Sequence, residues 1–342
     1  MLYRKLTSMY YQDKITTLKD IFDEERITVG HDFLAVGNRA FPVVNDVIIL
    51  VPPAQYTDFI KKSISKERIP RVCEEKDNEF ARDIQFTFGE EWKSYSSILP
   101  EHEKEFCQYF DIVNPDTLNK LRVCDLGCGM GRWSYFLKAI ASEIILVDFS
   151  DSIFIARKNL AGAGNCFFFM CDLKKLPFRD DFADFLFSLG VLHHLPANCL
   201  DEVRSLKRFA RTLHVFLYYS LDNRPFYFRF ALNMVTAARK KLCRIENRYF
   251  RKGFSLAGAY LLYMPLILLG HMLKPFKLSR YVPLYEFYHA KSAKRIEQDV
   301  YDRFFTAIEQ RVSKKDILTL EDSFSEVKIS DNLPYWHFVC KR

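Results

Sequence analysis

Residues 123–133 read VCDLGCGMGRW. A mostly apolar run leads into Asp125, and three glycines follow at alternate positions, Gly127, Gly129 and Gly131. Glycine permits positive φ and close backbone approach, so this is a loop against which something packs. Residues 121–126 before it predict a strand, and residues 131–141 after it predict a helix. That order puts the loop at the carboxyl end of a strand, where α/β sheets bind ligands. Several common occupants do not fit. Cys124 and Cys128 lack further ligands at metal spacing, so no metal is expected. No Gly-Lys-Ser/Thr follows the last glycine, as a P-loop requires. The sixth position counted from Gly127 is Arg132, where a dinucleotide fingerprint needs Gly or Ala. What remains, Asp-x-Gly-x-Gly-x-Gly, suits a nucleoside carrying an amino-acid tail. Asp125 either fixes the loop or meets the tail's ammonium.

Outward from the loop, strands and helices alternate. Strands are predicted at EIILVD (143–148), CFFFMC (166–171), ADFLFSLG (183–190) and HVFLYYS (214–220). Helices are predicted at 151–161 and near 198–211. Short continuous apolar strands separated by helices indicate a parallel sheet covered on both faces. After a break of about a hundred residues the pattern returns. Residues 313–324 predict a helix with Ser313 as N-cap and Asp316 completing a capping box. SEVKIS (325–330) and YWHFVCKR (335–342) then predict two closing strands.

These segments together resemble the class I S-adenosylmethionine (SAM)-dependent methyltransferases, particularly the ubiquinone/menaquinone C-methyltransferase-like, type 11 group. The likeness spans about 85–222 and 300–342. It implies a Rossmann-like seven-stranded mixed sheet whose last strand runs antiparallel, with SAM as cofactor. On this likeness the glycine loop, with Asp125, Gly127, Cys128, Gly129 and Gly131, forms the floor of the SAM pocket. Asp148 lies 21 residues after Gly127 and would take the ribose hydroxyls, with Phe149 beside it. Asp172 would meet the adenine amino group, between Cys171 and Leu173 flanking the ring. FLFSLGVLHHLP matches the fourth strand, ending at Leu189, and its following loop. One departure is the missing Pro-Gly-Gly turn before strand 5, where ARTLHVF stands.

Methyl transfer needs alignment of the nucleophile, exclusion of water and, for many acceptors, a base. The loop facing the methyl group in such enzymes carries His193 and His194 here. One of them is a candidate base, and alternation turns only one inward. FTFGEEWKSYS (86–96) precedes the core, and Trp92 and Tyr95 are candidate lining residues. Arg132 in the first turn of its helix is a candidate contact for a substrate carboxylate or the SAM tail, and Arg224 and Arg303, bracketing the long break, are candidate substrate residues near the mouth of the sheet. Their plainer roles are solvent contact for Arg132, and ion pairs with Asp222, Asp302 or Glu309 for the other two.

The rest of the chain bears on partners. A composition of 49% apolar and 27% charged residues, with 32 Phe and 18 Tyr, argues for a packed globular protein over disorder. The N-terminus has no apolar signal-peptide core, so a cytoplasmic location is expected. Nine cysteines without a Cys-x-x-Cys pair suit reduced thiols. Residues 1–75 are read as a small separate β-rich unit, with 57–76 as a helical connector. Its GNRAFPVVNDVIILV resembles the end of zinc-ribbon-like domains, without the zinc cysteines. Residues 76–222 and 300–342 are the expected methyltransferase core, and 223–299 a basic helical insertion between strands 5 and 6.

From Asn223 to Arg295 stand fifteen Lys and Arg against two acids, Glu246 and Glu286, so the rest of the chain is net acidic. Within this insertion, FSLAGAYLLYMPLILLGHML (254–273) holds no charged residue and is long enough to span a bilayer. Strands of one sheet flank it on both sides, which argues against a single crossing. It is expected to be an apolar cap over the site, kinked at Pro265, or an interfacial helix, with 239–280 meeting an anionic membrane surface. The expected function is methyl transfer to a small or lipid-linked, anionic acceptor. RNA is the less favoured acceptor, because strand 4 ends in SLGV without an Asn/Asp-Pro-Pro-aromatic motif or a Pro-Cys nucleophile. A non-catalytic SAM-binding or membrane-surface scaffold is the alternative of another class.

Overall fold

The computed structural model describes residues 10–64, 89 and 95–342. The strands are β1 (Ile27–Val29), β2 (Phe33–Val36), β3 (Arg39–Val44), β4 (Val47–Ile49), β5 (Arg122–Leu126), β6 (Glu143–Asp148), β7 (Cys166–Met170), β8 (Ala183–Leu189), β9 (Ala210–Phe216), β10 (Glu326–Ile329) and β11 (Phe338–Lys341). They form one sheet in the order β1-β2-β3-β4-β7-β6-β5-β8-β9-β11-β10. Strands β7, β6, β5, β8 and β9 run parallel. Strand β11 pairs antiparallel with both β9 and β10.

Seven strands were expected, and β5–β11 account for them. The other four come from the segment read as a separate unit. Strand β4 is wholly apolar and pairs parallel with β7, Val47 opposite Phe168 and Ile49 opposite Met170. The all-buried β7 would otherwise present an apolar open edge, which β4 covers. The Tyr11 hydroxyl fastens this junction. It donates to the Asp46 carbonyl at 2.7 Å and accepts from the Phe168 N–H at 3.1 Å.

Both faces of the sheet are covered, which explains the unbroken apolar strands. Cys124, Leu126, Ile145 and Val147 face one core, with Leu18 of α1 (Ile15–Phe22) and Val203 of α6 (Cys199–Leu206). Val123, Ile144 and Leu146 face the other core. There they meet Phe106 of α3 (Glu101–Tyr109), Leu137 of α4 (Arg132–Leu137) and Ala156 of α5 (Ser152–Asn159). The short α2 (Asp58–Ser63) is capped by Thr57 and adds Ile60 to this second core. Strand β9 begins at Ala210, four residues before the expected start at 214. ARTLHVF, standing where the missing turn was noted, is itself the strand.

The insertion contains α7 (Phe226–Leu242), a long continuous helix α8 (Arg248–Phe276) and the short α9 (Tyr285–Tyr288). Helix α10 (Ala293–Phe305) runs across the expected boundary at 299/300. The capping box on α11 (Lys314–Leu318) forms between Ser313 and Asp316. Within α8 a π turn at Ala259–Tyr263 is separated from Pro265 only by Met264. Proline lacks an N–H and crowds the carbonyl four residues back, so a locally wider turn relieves that clash. A third core, with Tyr263, Ile267, Tyr285, Ile296 and Val300, holds these helices together. Buried Glu105 of α3 joins Arg295 and Lys291 and ties the insertion to the sheet layer. Burial raises the Glu105 pKa, but the two cations outweigh it and hold the carboxyl well below its usual range.

Candidate functional site

The glycine loop has the conformation its composition demands. Gly127 and Gly131 have φ of 82° and 74°. A Cβ at Gly127 would fall 2.5 Å from a Val191 methyl, so only glycine lets the loop after β8 approach this closely. At Gly131 it would fall 3.0 Å from the Ala156 Cβ, where α4 starts against α5. The Asp148 carboxylate at the end of β6 holds the loop. Its Oδ2 accepts the Gly129 N–H and its Oδ1 accepts the Ser150 N–H and hydroxyl, each at 2.8 Å. A carboxylate has about four acceptor sites, so beyond these bonds about one remains for a ligand hydroxyl.

Asp125 sits differently from either expected role. It is buried and accepts the Ser134 hydroxyl at 2.6 Å, joining β5 to the inner face of α4. Burial pushes its carboxyl up to about 7. It does not line the cavity described next, so the ammonium role is withdrawn in favour of fixing the strand–helix junction.

A cavity of about 890 Å³ opens above the carboxyl ends of β5, β6, β8 and β9. Its floor holds Gly127, Cys128 and Gly129, with Asp148 and Phe149 from the β6 end. Asp172, Leu173, Leu189 and His194 line it too, as do Arg132, Arg224 and Arg303. Asp172 also caps its own turn by accepting the Lys174 N–H at 3.0 Å. The roof comes from the insertion, chiefly Phe228, Met234, Leu262, Leu266 and Phe287.

Four other expected residues fall outside the lining. Gly131 is spent on helix packing. Cys171 is buried in the core, its thiol directed at the backbone carbonyls of Asp172 and Lys175. Tyr95 belongs to the core of the insertion and donates to Glu297 at 3.0 Å. His193 is fully buried against the rings of His194 and Tyr218, and burial pushes its pKa well below 6.5. It is a neutral packing residue, and the candidate base is therefore His194 alone. Trp92 lies outside the described residues.

His194 is oriented from two sides. Its Nδ1 lies 2.7 Å from the Ile308 carbonyl, which only accepts, so Nδ1 carries the proton. Its Nε2 lies 4.0 Å from Oδ1 of Asp302 on α10. Asp302 also receives the hydroxyls of Tyr218 and, at 2.9 Å, Thr306. Burial and the Asp302 charge push the Tyr218 phenol well above its usual pKa, so it remains a proton donor. His194, Asp302 and Tyr218 all line the cavity. Asp302 was anticipated only as an ion-pair partner, and Tyr218 not at all; its place at the carboxyl end of the β9 segment was the available signal.

Most cations around the cavity are neutralised. Arg224 pairs with Glu286, not with the acids expected from its neighbourhood in sequence. Arg295 pairs with Glu105 and Asp299, and Arg311 with Glu309 at 2.8 Å. Arg132 lies over the Trp133 ring, 4.3 Å from its centroid. Arg303 differs. Its Nε is buried without a hydrogen-bond partner, and among the described residues its guanidinium forms no salt bridge. The side chain is partly buried on the cavity wall; burial lowers its pKa, but Tyr263, Tyr288 and Glu309 outweigh that and raise it, so it stays charged and can meet an acidic ligand.

A family model described as "Methyltransferase domain" matches residues 123–214. Human probable tRNA methyltransferase 9B is 32% identical over 93 residues, which are 27% of this chain and 18% of that protein. The chain thus spans under a fifth of the length of that curated relative. Among solved structures, Haemonchus contortus phosphoethanolamine N-methyltransferase 1, bound to phosphoethanolamine and S-adenosylhomocysteine, is 20% identical with a TM-score of 0.35, covering 40% of this chain and 32% of that one. A putative methyltransferase from Bacillus halodurans is 18% identical with a TM-score of 0.34, covering 40% of this chain and 59% of that one.

Proposed function

Since residues 123–214 match a methyltransferase-domain model, we propose that the protein is a class I SAM-dependent methyltransferase that transfers a methyl group to an anionic, amphipathic acceptor held between sheet and insertion. The observation that carries the acceptor class is Arg303, a partly buried guanidinium that forms no salt bridge among the described residues, in a cavity whose roof is apolar. An acidic group on the acceptor would meet Arg303, and its hydrocarbon part would lie along Phe228, Met234 and Leu266.

The cofactor suits the floor of this cavity. Gly127 lacks the Cβ that would close the loop, and Asp148 keeps about one acceptor site for a ribose hydroxyl. Asp172 would face the adenine amino group, between Phe149 and Leu173. The cavity lies in the upper part of the range of about 300–1,000 Å³ common for ligand sites, room enough for a cofactor beside an acceptor. When bound, SAM supplies the electrophilic methyl group and its sulfonium leaving group. The chain's own contribution is to orient the acceptor, exclude water with the apolar roof and receive a proton at Nε2 of His194. Asp302 then stabilises the imidazolium.

The test has two readouts. Titration calorimetry should detect SAM binding by the wild type and a loss of about tenfold or more in Asp148→Ala. Labelled methyl transfer should appear in the acidic lipid fraction of a cell extract and not in total tRNA. Absence of SAM binding removes the enzymatic reading. Label in tRNA alone keeps the enzyme and replaces the acceptor class, as the name of the human relative would suggest.

A further inference from the structure

The long helix α8 is apolar on both its faces. Inward it places Ala259, Tyr263, Ile267 and Gly270. Packing there is close: a Cβ on Gly270 would fall 2.0 Å from the Tyr285 ring, and one on Gly258 2.8 Å from Val300. Outward it shows Leu261, Pro265, Leu268, Met272 and Phe276. The spacing of four, three, four and four residues puts these five on one stripe. Leu261 is 79% exposed, and Leu268, Met272 and Phe276 are each above 60%. Only 22% of the helix's most apolar stretch is buried, unlike a core helix.

Helix α7 repeats the arrangement with Phe226, Phe230 and Met234, all more than 60% exposed and four residues apart. Phe230, Met234 and Leu262 are also lining residues of the cavity. The mouth of the cavity therefore opens among the exposed apolar side chains of two helices. Cations flank the stripe at both ends of α8. Arg244, Arg248 and Lys252 are exposed at the start, and Lys274, Lys277 and Arg280 at the end.

A bilayer crossing does not fit. Val215 of β9 precedes α8, Phe338 of β11 follows it, and the two are directly paired in the sheet. A single span would place them on opposite sides of a membrane.

We infer that the outward face of α7 and α8 docks on an anionic membrane surface and opens the cavity to the bilayer. An apolar stripe rimmed by Lys and Arg is the surface that enters a headgroup layer while its cations meet lipid phosphates or carboxylates. A soluble protein partner would also cover apolar residues. The cations at both ends and the portal within the stripe favour lipid, because they suit an anionic amphiphile entering sideways. This deepens the reading of an amphipathic acceptor and rests on it only for what enters the portal; docking itself is independent of catalysis.

The experiment is co-sedimentation of the full chain with phosphatidylcholine vesicles, with and without about 30 mol% phosphatidylglycerol. The wild type should partition onto the anionic vesicles at low salt and be released as salt rises. Leu261→Glu/Leu268→Glu/Met272→Glu should lower the partition coefficient about tenfold or more. Lys274→Glu/Lys277→Glu should weaken binding mainly at low salt. SAM calorimetry on each variant shows whether the core remains folded, so loss of docking and loss of the cofactor site are read separately. Equal retention of wild type and triple variant overturns the inference. So does a wild type that ignores both vesicles but self-associates until the triple substitution makes it monomeric, since that result assigns the face to protein.

Discussion

His194 and Asp302 face each other at 4.0 Å from Nε2 to Oδ1, and both line the cavity. One comes from the loop after β8 and the other from α10, beyond the whole insertion. The Ile308 carbonyl holds the proton on Nδ1 of His194, so Nε2 is the nitrogen presented to Asp302. A proton taken up at Nε2 would produce a cation facing a carboxylate.

His194→Gln should lower kcat about a hundredfold while leaving the SAM dissociation constant unchanged. Asp302→Asn should reduce kcat less. Asp302 also accepts the Tyr218 and Thr306 hydroxyls, so its loss acts through the placement of these groups around His194. Steady-state kinetics test both. A His194→Gln enzyme of wild-type kcat would reduce the transfer to alignment alone.

Arg303 is predicted to serve acceptor binding. Arg303→Met removes a partly buried charge that its surroundings favour and should leave stability within about 1 kcal/mol of wild type in urea denaturation. The same change should raise KM for an acidic acceptor about thirtyfold, with a smaller effect on kcat. Arg303→Lys should restore part of the binding. If Arg303→Met instead loses stability and keeps its KM, the residue is structural.

Asp125 should make stability fall as pH rises. Its folded pKa of about 7 lies above the ordinary value near 4, so the folded chain holds a proton that the unfolded chain has released. Its contribution is complete below about pH 4 and lost as pH climbs through about 7, with a slope of up to about 1.4 kcal/mol per unit. Buried His102 and His214 act with the opposite sign. Burial lowers each to about 3, so they favour the folded state above the ordinary histidine value and lose that contribution as pH falls. The wild type minus Asp125→Asn difference isolates the carboxyl. Parallel stability curves for the two proteins between pH 4 and 7 would mean that Asp125 is ionised when folded.

How much was readable in advance follows the range of each interaction. The positions of β5–β8, β10 and β11 and the capping box at Ser313 follow from local patterns, since apolar runs, turn residues and caps act over a few residues. Asp148 was readable as a loop-end acid because strand length and glycine spacing place it there. The start of β9 was not, because ARTLH is mixed in polarity and becomes a strand only through its pairing with β8 and β11. Cys171 was expected at the adenine ring but turns inward, because a one-residue change in position along a strand reverses the face.

By itself, the sequence determined the order of strands and helices, the glycine loop with its acids, and the concentration of cations and apolar residues in one insertion. Each is a property of neighbouring residues. Only the tertiary structure decided that β4 joins β7, that His194 and not His193 meets the cavity, and that Asp302 and Tyr218 gather beside it. It also left Arg303 without a salt bridge among the described residues while Arg224, Arg295 and Arg311 found acids. These outcomes depend on which distant segments share a surface. Burial, charge pairing and sheet edges are satisfied over the whole chain at once, and no short stretch carries that balance.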